Sequence, residues 1–441
     1  MARETKPPVS TITKNNLKII GDNVLYNNGI ITAFYCVRLD NYSTASGTTM
    51  DEAVQRLVSM ISNLTLKTPE VQFTIERIEK VTEACNVRKN LIDTVRMYKP
   101  DYDLPADFSK NVKKDIQDYC LLGIDIQQSS LVDVEDYNIL ETAKELAKRA
   151  ANTFAGLGNM KIDPEKILKL EENIYQSIRS NCVRASQELV FYNYVSKVYP
   201  GFEISYDNNG WIKDTSFEDI IGSVTQTVSD NFGWFELHNE GVDLFDWDPM
   251  PTYGCMLDVK AFPPYIRSDF YDLVAMPNVV TTVKCMKKED ATIKLKRTRA
   301  SDRYEVDQAV EANAEIEQIE ATEHNIQVAT HAIEGLDNGE IMCQFNTSIL
   351  VIAETREELK SAISDVVTTC RDNNILVSKS LNQALDFLDV YVNKKPKKFE
   401  HMAFLGFPLS FKQNRGVSVG DDSPTINGQL NWSPAIGEDL G

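Results

Sequence analysis

The chain has 441 residues, 42% of them hydrophobic and 25% charged, a balance that suits two or three packed domains and excludes disordered or fibrous classes. Its formal net charge of -19 speaks against free DNA or RNA as a ligand, because nucleic-acid binding rests on basic patches that release counterions. The opening MARETKPPVSTITKNN lacks the apolar stretch of a signal peptide, and no apolar run approaches the roughly 18 to 20 residues that span a bilayer, so the expectation is a cytoplasmic chain with at most peripheral membrane attachment.

The first element signal is a hairpin: Val24-Leu25-Tyr26 and Ile30 to Val37 flank Asn28-Gly29, a pair suited to the positive φ angles of a two-residue turn. A helix is predicted over about 50–63, a strand over 71–75, a second helix near 82–96, and a strand buried on both faces over 119–126. From 138 to 197 the pattern is helical, with Leu140, Ala143, Leu146 and Ala150, and later Ile167, Leu170, Ile174 and Ile178, at spacings of three and four. A second Asn-Gly hairpin is expected at Asn209-Gly210, followed by an irregular stretch, 223–253, rich in aromatics and carboxylates.

Strands are predicted at 255–259 and 279–283, then a long polar helix over about 300–335, a strand over 341–353, a helix opened by the capping pattern Thr355-x-x-Glu358, a short strand at 375–377 and a last helix over about 381–391. This order describes a split βαβ, ferredoxin-like lobe whose sheet would be covered by helices 300–335 and 355–372. The first lobe reads as a looser version of the same plan. The fold class is therefore α+β, two mixed-sheet lobes with a central helical segment, divided as 1–135, 136–250 and 251–393 with a lead-out over 394–441.

Eight cysteines are scattered without a C-x-x-C pair, which reads as reduced, buried thiols. His238 stands between Glu236 and Glu240 at strand spacing, a weak metal pattern beside the plainer reading of a solvated loop. None of the four histidines, His238, His324, His331 and His401, belongs to a nucleophile, zincin or phosphotransfer motif, so no catalytic residue, cofactor ligand or metal ligand is assigned. Trp234, Phe245 and Trp247, set among carboxylates, are the candidate partner contact.

Two basic clusters, one containing Lys294, Lys296, Arg297 and Arg299 and the other Lys394, Lys395, Lys397 and Lys398, are candidates for an anionic surface, against the ordinary reading of solvated faces. The polar helix carries Ile316, Ile319, Ile326, Ile333 and Leu336 in a narrow seam, suited to a sheet edge, another helix or a partner protein.

The segment order, the paired arginines of Ile178-Arg179-Ser180-Asn181-Cys182-Val183-Arg184-Ala185-Ser186-Gln187-Glu188, and Phe404-Leu405-Gly406-Phe407-Pro408-Leu409-Ser410 with the glycine-rich Val419-Gly420-Asp421-Asp422 and Ala435 to Gly441 resemble the N-terminal region of the large conjugation ATPases of type IV secretion systems, Gram-positive type. The resemblance implies a docking and assembly region that faces inner-membrane channel components, with self-association, ATP and Mg belonging to a motor domain beyond it. No Gly-Lys dipeptide occurs in the chain, so no G-x-x-x-x-G-K-[ST] phosphate loop is present to carry over. The expectation is a docking region that is inactive toward ATP alone and makes no sequence-specific nucleic-acid contact; the alternative is a freestanding structural or adaptor protein.

Overall fold

A computed structural model describes residues 10–13, 17–27, 30–37, 47–68, 70–83, 114–126, 164–198, 225–231, 233–240, 252–263, 278–311, 316–395 and 397–410. The class is α+β, as the sequence indicates, and the described strands join into one antiparallel sheet rather than separate mixed sheets.

The first half contributes β1 (Ser10–Thr13), β2 (Leu17–Ile20), β3 (Val24–Asn27), β4 (Ile30–Val37), α1 (Gly47–Thr65), β5 (Gln72–Glu83), β6 (Lys114–Asp125), α2 (Pro164–Ile178), β7 (Cys182–Arg184) and α3 (Gln187–Val198). The β3–β4 hairpin is where Asn28-Gly29 places it, with Asn27 paired to Ile30. The expected helix near 82–96 begins instead as strand, because β5 runs on to Glu83; residues 84–96 lie outside the described residues. The helical stretch expected over 138–197 is interrupted by β7, its part before 164 and the second Asn-Gly hairpin also falling outside the description.

The second half contributes β8 (Thr225–Asn231), β9 (Trp234–Glu240), β10 (Thr252–Ala261), β11 (Val279–Cys285), α4 (Lys288–Glu311), α5 (Ile316–Asp337), β12 (Met342–Ala353), α6 (Arg356–Asp372), β13 (Leu376–Lys379), α7 (Gln383–Phe387), a π-helical turn (Leu388–Val392), β14 (His401–Phe404) and α8 (Gly406–Ser410). Within the stretch read as irregular, 223–253, β8 and β9 form a hairpin, paired from Thr225–Glu240 to Asn231–Trp234, while 241–251 lie outside the described residues.

Neighbour relations show the same plan twice. In the first half β7 pairs β4, β4 pairs β6 and β6 pairs β5; in the second β13 pairs β10, β10 pairs β12 and β12 pairs β11. Numbering the strands of each unit by chain order gives 4-1-3-2 both times, all antiparallel, which is the ferredoxin-like order expected of the second lobe and more loosely of the first. Each unit is preceded by a hairpin whose second strand, β3 or β9, also pairs the unit's first strand. The two units meet through their equivalent strands, β5 and β11, from Gln72–Lys284 to Glu76–Val280, about a central Thr74–Thr282 pair.

The sheet is covered on both faces. Alternation in β4 sends Ile31, Ala33, Tyr35 and Val37 to one core and Phe34 and Cys36 to the other, so the strand reads as a continuous apolar run. The first core receives Leu57, Ile61 and Leu64 of α1, Ile167 and Ile178 of α2, and Leu359 and Val366 of α6. The second receives Leu189, Val190 and Phe191 of α3 and Phe387, Leu388 and Tyr391 of α7 and the π-helical turn. Thr355 caps α6 as its sequence predicts, its hydroxyl accepting from the Glu358 amide at 3.2 Å.

The long helix departs from expectation. It begins at Lys288, twelve residues before the predicted start of 300, and α4 and α5 pack on each other as a helical hairpin inserted between β11 and β12, instead of covering the sheet. Among the described residues it joins the body at its root, where Ala291, Leu295, Ala332 and Leu336 pack with Met342 of β12 and with Met402 and Phe404 of β14.

Candidate docking site

The arm is built on a heptad seam. On α4 the covered positions include Thr292, Leu295, Arg299, Asp302, Val306 and Ala309; on α5 they include Ile319, Thr322, Ile326, Ala329, Ile333 and Leu336, each set alternating steps of three and four. The Ile319–Leu336 seam legible in the sequence thus finds another helix of its own chain. At 1.5 Å per residue, α4 is about 36 Å long. Its outer face carries exposed Ile293, Lys294, Arg297 and Tyr304, whereas α5 presents Glu320, Glu323 and Glu334.

At the opposite end of the second unit, Trp234 opens β9 against the sheet. It is half-buried, 5.7 Å from Tyr253 ring to ring, and the Arg356 guanidinium lies 4.6 Å above it. Trp234, Arg356, Leu359, Lys360, Ile363 and Lys379 line a groove of about 300 Å³. Across the strand, Gly254 leaves room for the Phe235 ring, which a Cβ there would meet at 2.2 Å. Trp234 is therefore partly core and partly groove wall; Phe245 and Trp247 lie outside the described residues.

The predicted anionic-surface residues divide. Lys294, Lys296 and Arg297 are exposed on α4, while Arg299 turns partly into the seam. Lys394 is not on the surface: its ammonium is buried against Glu76 at 3.1 and 3.2 Å, with Asn193 and Thr74 also donating to that carboxylate. A left-handed backbone at Lys394, φ 53°, turns the chain inward there. Lys397 is likewise engaged, with Asp258 and Asp386 at 2.9 Å each. Burial raises the Asp386 carboxyl, opposed by the Lys397 hydrogen bond. Lys395 lies 4.0 Å from Asp389, and Lys398 is exposed. The run therefore does not form a free basic patch.

Arg184 of the paired-arginine motif is structural. It grips the buried Glu171 with Nε at 2.9 Å and Nη2 at 2.8 Å, while Tyr35 and Asn23 also donate to Glu171. Burial first, and then the Glu171 charge, push the Tyr35 hydroxyl well above its usual range. Exposed His238 contacts Glu236 at 3.0 Å, and no group of three potential metal ligands occurs among the described residues.

A second cavity, about 390 Å³, lies between the end of α1, the β5–β6 edge and α2, lined by apolar side chains together with Lys67, Thr68, Asp125 and Asn173. Burial pushes the Asp125 carboxyl up to about 6. Nothing in the sequence marked this aspartate, since its cavity is made by residues more than a hundred positions apart.

No protein-family model matches the chain, and a search of curated proteins finds no match. No helix among the described residues is long and apolar enough to cross a membrane.

Proposed function

We propose that this chain is the docking and assembly region of a conjugative type IV secretion ATPase, facing inner-membrane channel components from the cytoplasmic side, with ATP hydrolysis carried out by a separate motor domain. The observation that carries a docking role is the α4–α5 arm: a helical pair whose first helix is about 36 Å long, joined to the body, among the described residues, at its root, with acids and basic residues balanced on α4 and acids alone on α5. An element that contributes so little to the core is stabilised by its own seam and leaves its outer faces for a partner. The particular family rests on the resemblance carried by the Phe404–Ser410 motif and the segment order.

The test is genetic. Replacing residues 291–334 with a short Gly-Ser turn in the native gene should abolish transfer by the associated conjugative system while the protein still accumulates. Undiminished transfer at normal protein levels would sink the reading, and an absence of any linked transfer system would favour a freestanding adaptor.

A further inference from the structure

We infer that the groove beside Trp234 binds an acidic peptide segment bearing large apolar side chains, presented by a partner protein. Three cations converge there. Arg356 and Lys360 stand one turn apart on α6, and Lys379 comes from β13, its Nζ lying 3.5 Å from where a Cβ on Gly233 would be. None of the three has a carboxylate partner among the described residues, in a chain whose net charge is -19. The six lining residues include no acid. Lys397 of the same unit, by contrast, is matched by Asp258 and Asp386.

The floor selects the ligand further. Leu359, Ile363 and the Trp234 ring make the base apolar, with cations at its rim, an arrangement that rewards an apolar side chain flanked by carboxylates more than a bare anion. An isolated phosphate would satisfy the rim and leave the floor uncovered. The roughly 300 Å³ volume accommodates two or three side chains, on the scale of a short peptide anchor. Arg356, already stacked over Trp234, is held for a planar two-pronged contact with a carboxylate.

The inference names a partner's chemistry and rests on the docking reading; direct peptide binding tests it without a secretion system, so it can fail while that reading stands. The measurement is fluorescence anisotropy of residues 1–441 with a labelled peptide, Ser-Glu-Phe-Glu-Glu-Leu-Glu-Ser. Saturable binding is expected, weakened at least about tenfold when the glutamates become glutamines and by a similar factor in the Arg356→Gln/Lys360→Gln double variant, assayed well below its melting temperature with its fold checked by circular dichroism. A Trp234→Leu variant should weaken binding while retaining the near-ultraviolet dichroism of the other aromatics. Equal binding of the acidic and neutral peptides, binding indifferent to the double variant, or capture of inorganic phosphate or phosphatidylglycerol vesicles in place of the peptide overturns the proposal.

Discussion

Single side chains fasten the two halves together. Glu76 of β5 is fully buried and pairs with Lys394, 318 positions away, so removing either partner strands a charge in the core. Lys394→Met and Glu76→Gln should each cost about 3–5 kcal/mol, and the double variant clearly less than the sum, in a urea-denaturation cycle. Full additivity would mean that the two groups are not coupled. Asp125 gives a pH signature: raised to about 6 in the folded chain, its contribution is fully present below about 4 and is lost as pH rises through 6. Asp125→Asn should therefore stabilise the protein at pH 8 by up to about 3 kcal/mol and leave it unchanged near pH 3.5. Thermal melts across that range would expose an equal effect at both ends. Neither residue was legible beforehand: Lys394 sat in a basic run that reads as solvated, and both environments are made by distant sequence.

Elements were legible where local chemistry speaks for itself. Asn28-Gly29 set the β3–β4 register, and Thr355 marked the start of α6. The arm was half legible. The Ile326–Ile333–Leu336 spacing betrayed α5, but the first turns of α4, KEDATIKLKRTR, bury only Ala291 and Leu295 and so look like a polar connection. The β8–β9 hairpin was missed because its alternation rests on Val228, Phe235 and Leu237 amid polar residues. Within the arm, Asp302 lies in the seam with one carboxylate oxygen buried and, among the described residues, without a hydrogen-bond partner. Such a group costs stability while fixing register. Asp302→Leu should slow amide exchange across 295–309 without altering the exchange of β6 or β12; unchanged arm exchange would remove the seam role assigned to it.

For the whole molecule, the repeated 4-1-3-2 order was visible only as a faint similarity between lobes, because it depends on which strands neighbour which. The sequence could not disclose that β5 and β11 pair. With that seam and the Glu76–Lys394 link, and with Asn27 donating to the Val392 carbonyl at 2.6 Å, the halves should unfold together. Native-state exchange should give β6 and β12 the same opening free energy, and a gap of more than about 2 kcal/mol would reveal independent units.

The β5–β11 seam also settles what happens to two sticky margins. A lone unit would present β5 or β11 with bare backbone donors and acceptors, an open template for further strands and a route to clumping. Here β11 covers that margin of β5 from Gln72 to Glu76, and the ends of the described strand path are β1 and β2, four residues apiece. The polypeptide behaves as two like modules already mated, so continuity of the chain between them is dispensable once they have met. A protease site engineered into 199–224 and cleaved after folding should leave both fragments travelling as one particle in size-exclusion chromatography, parting only in denaturant.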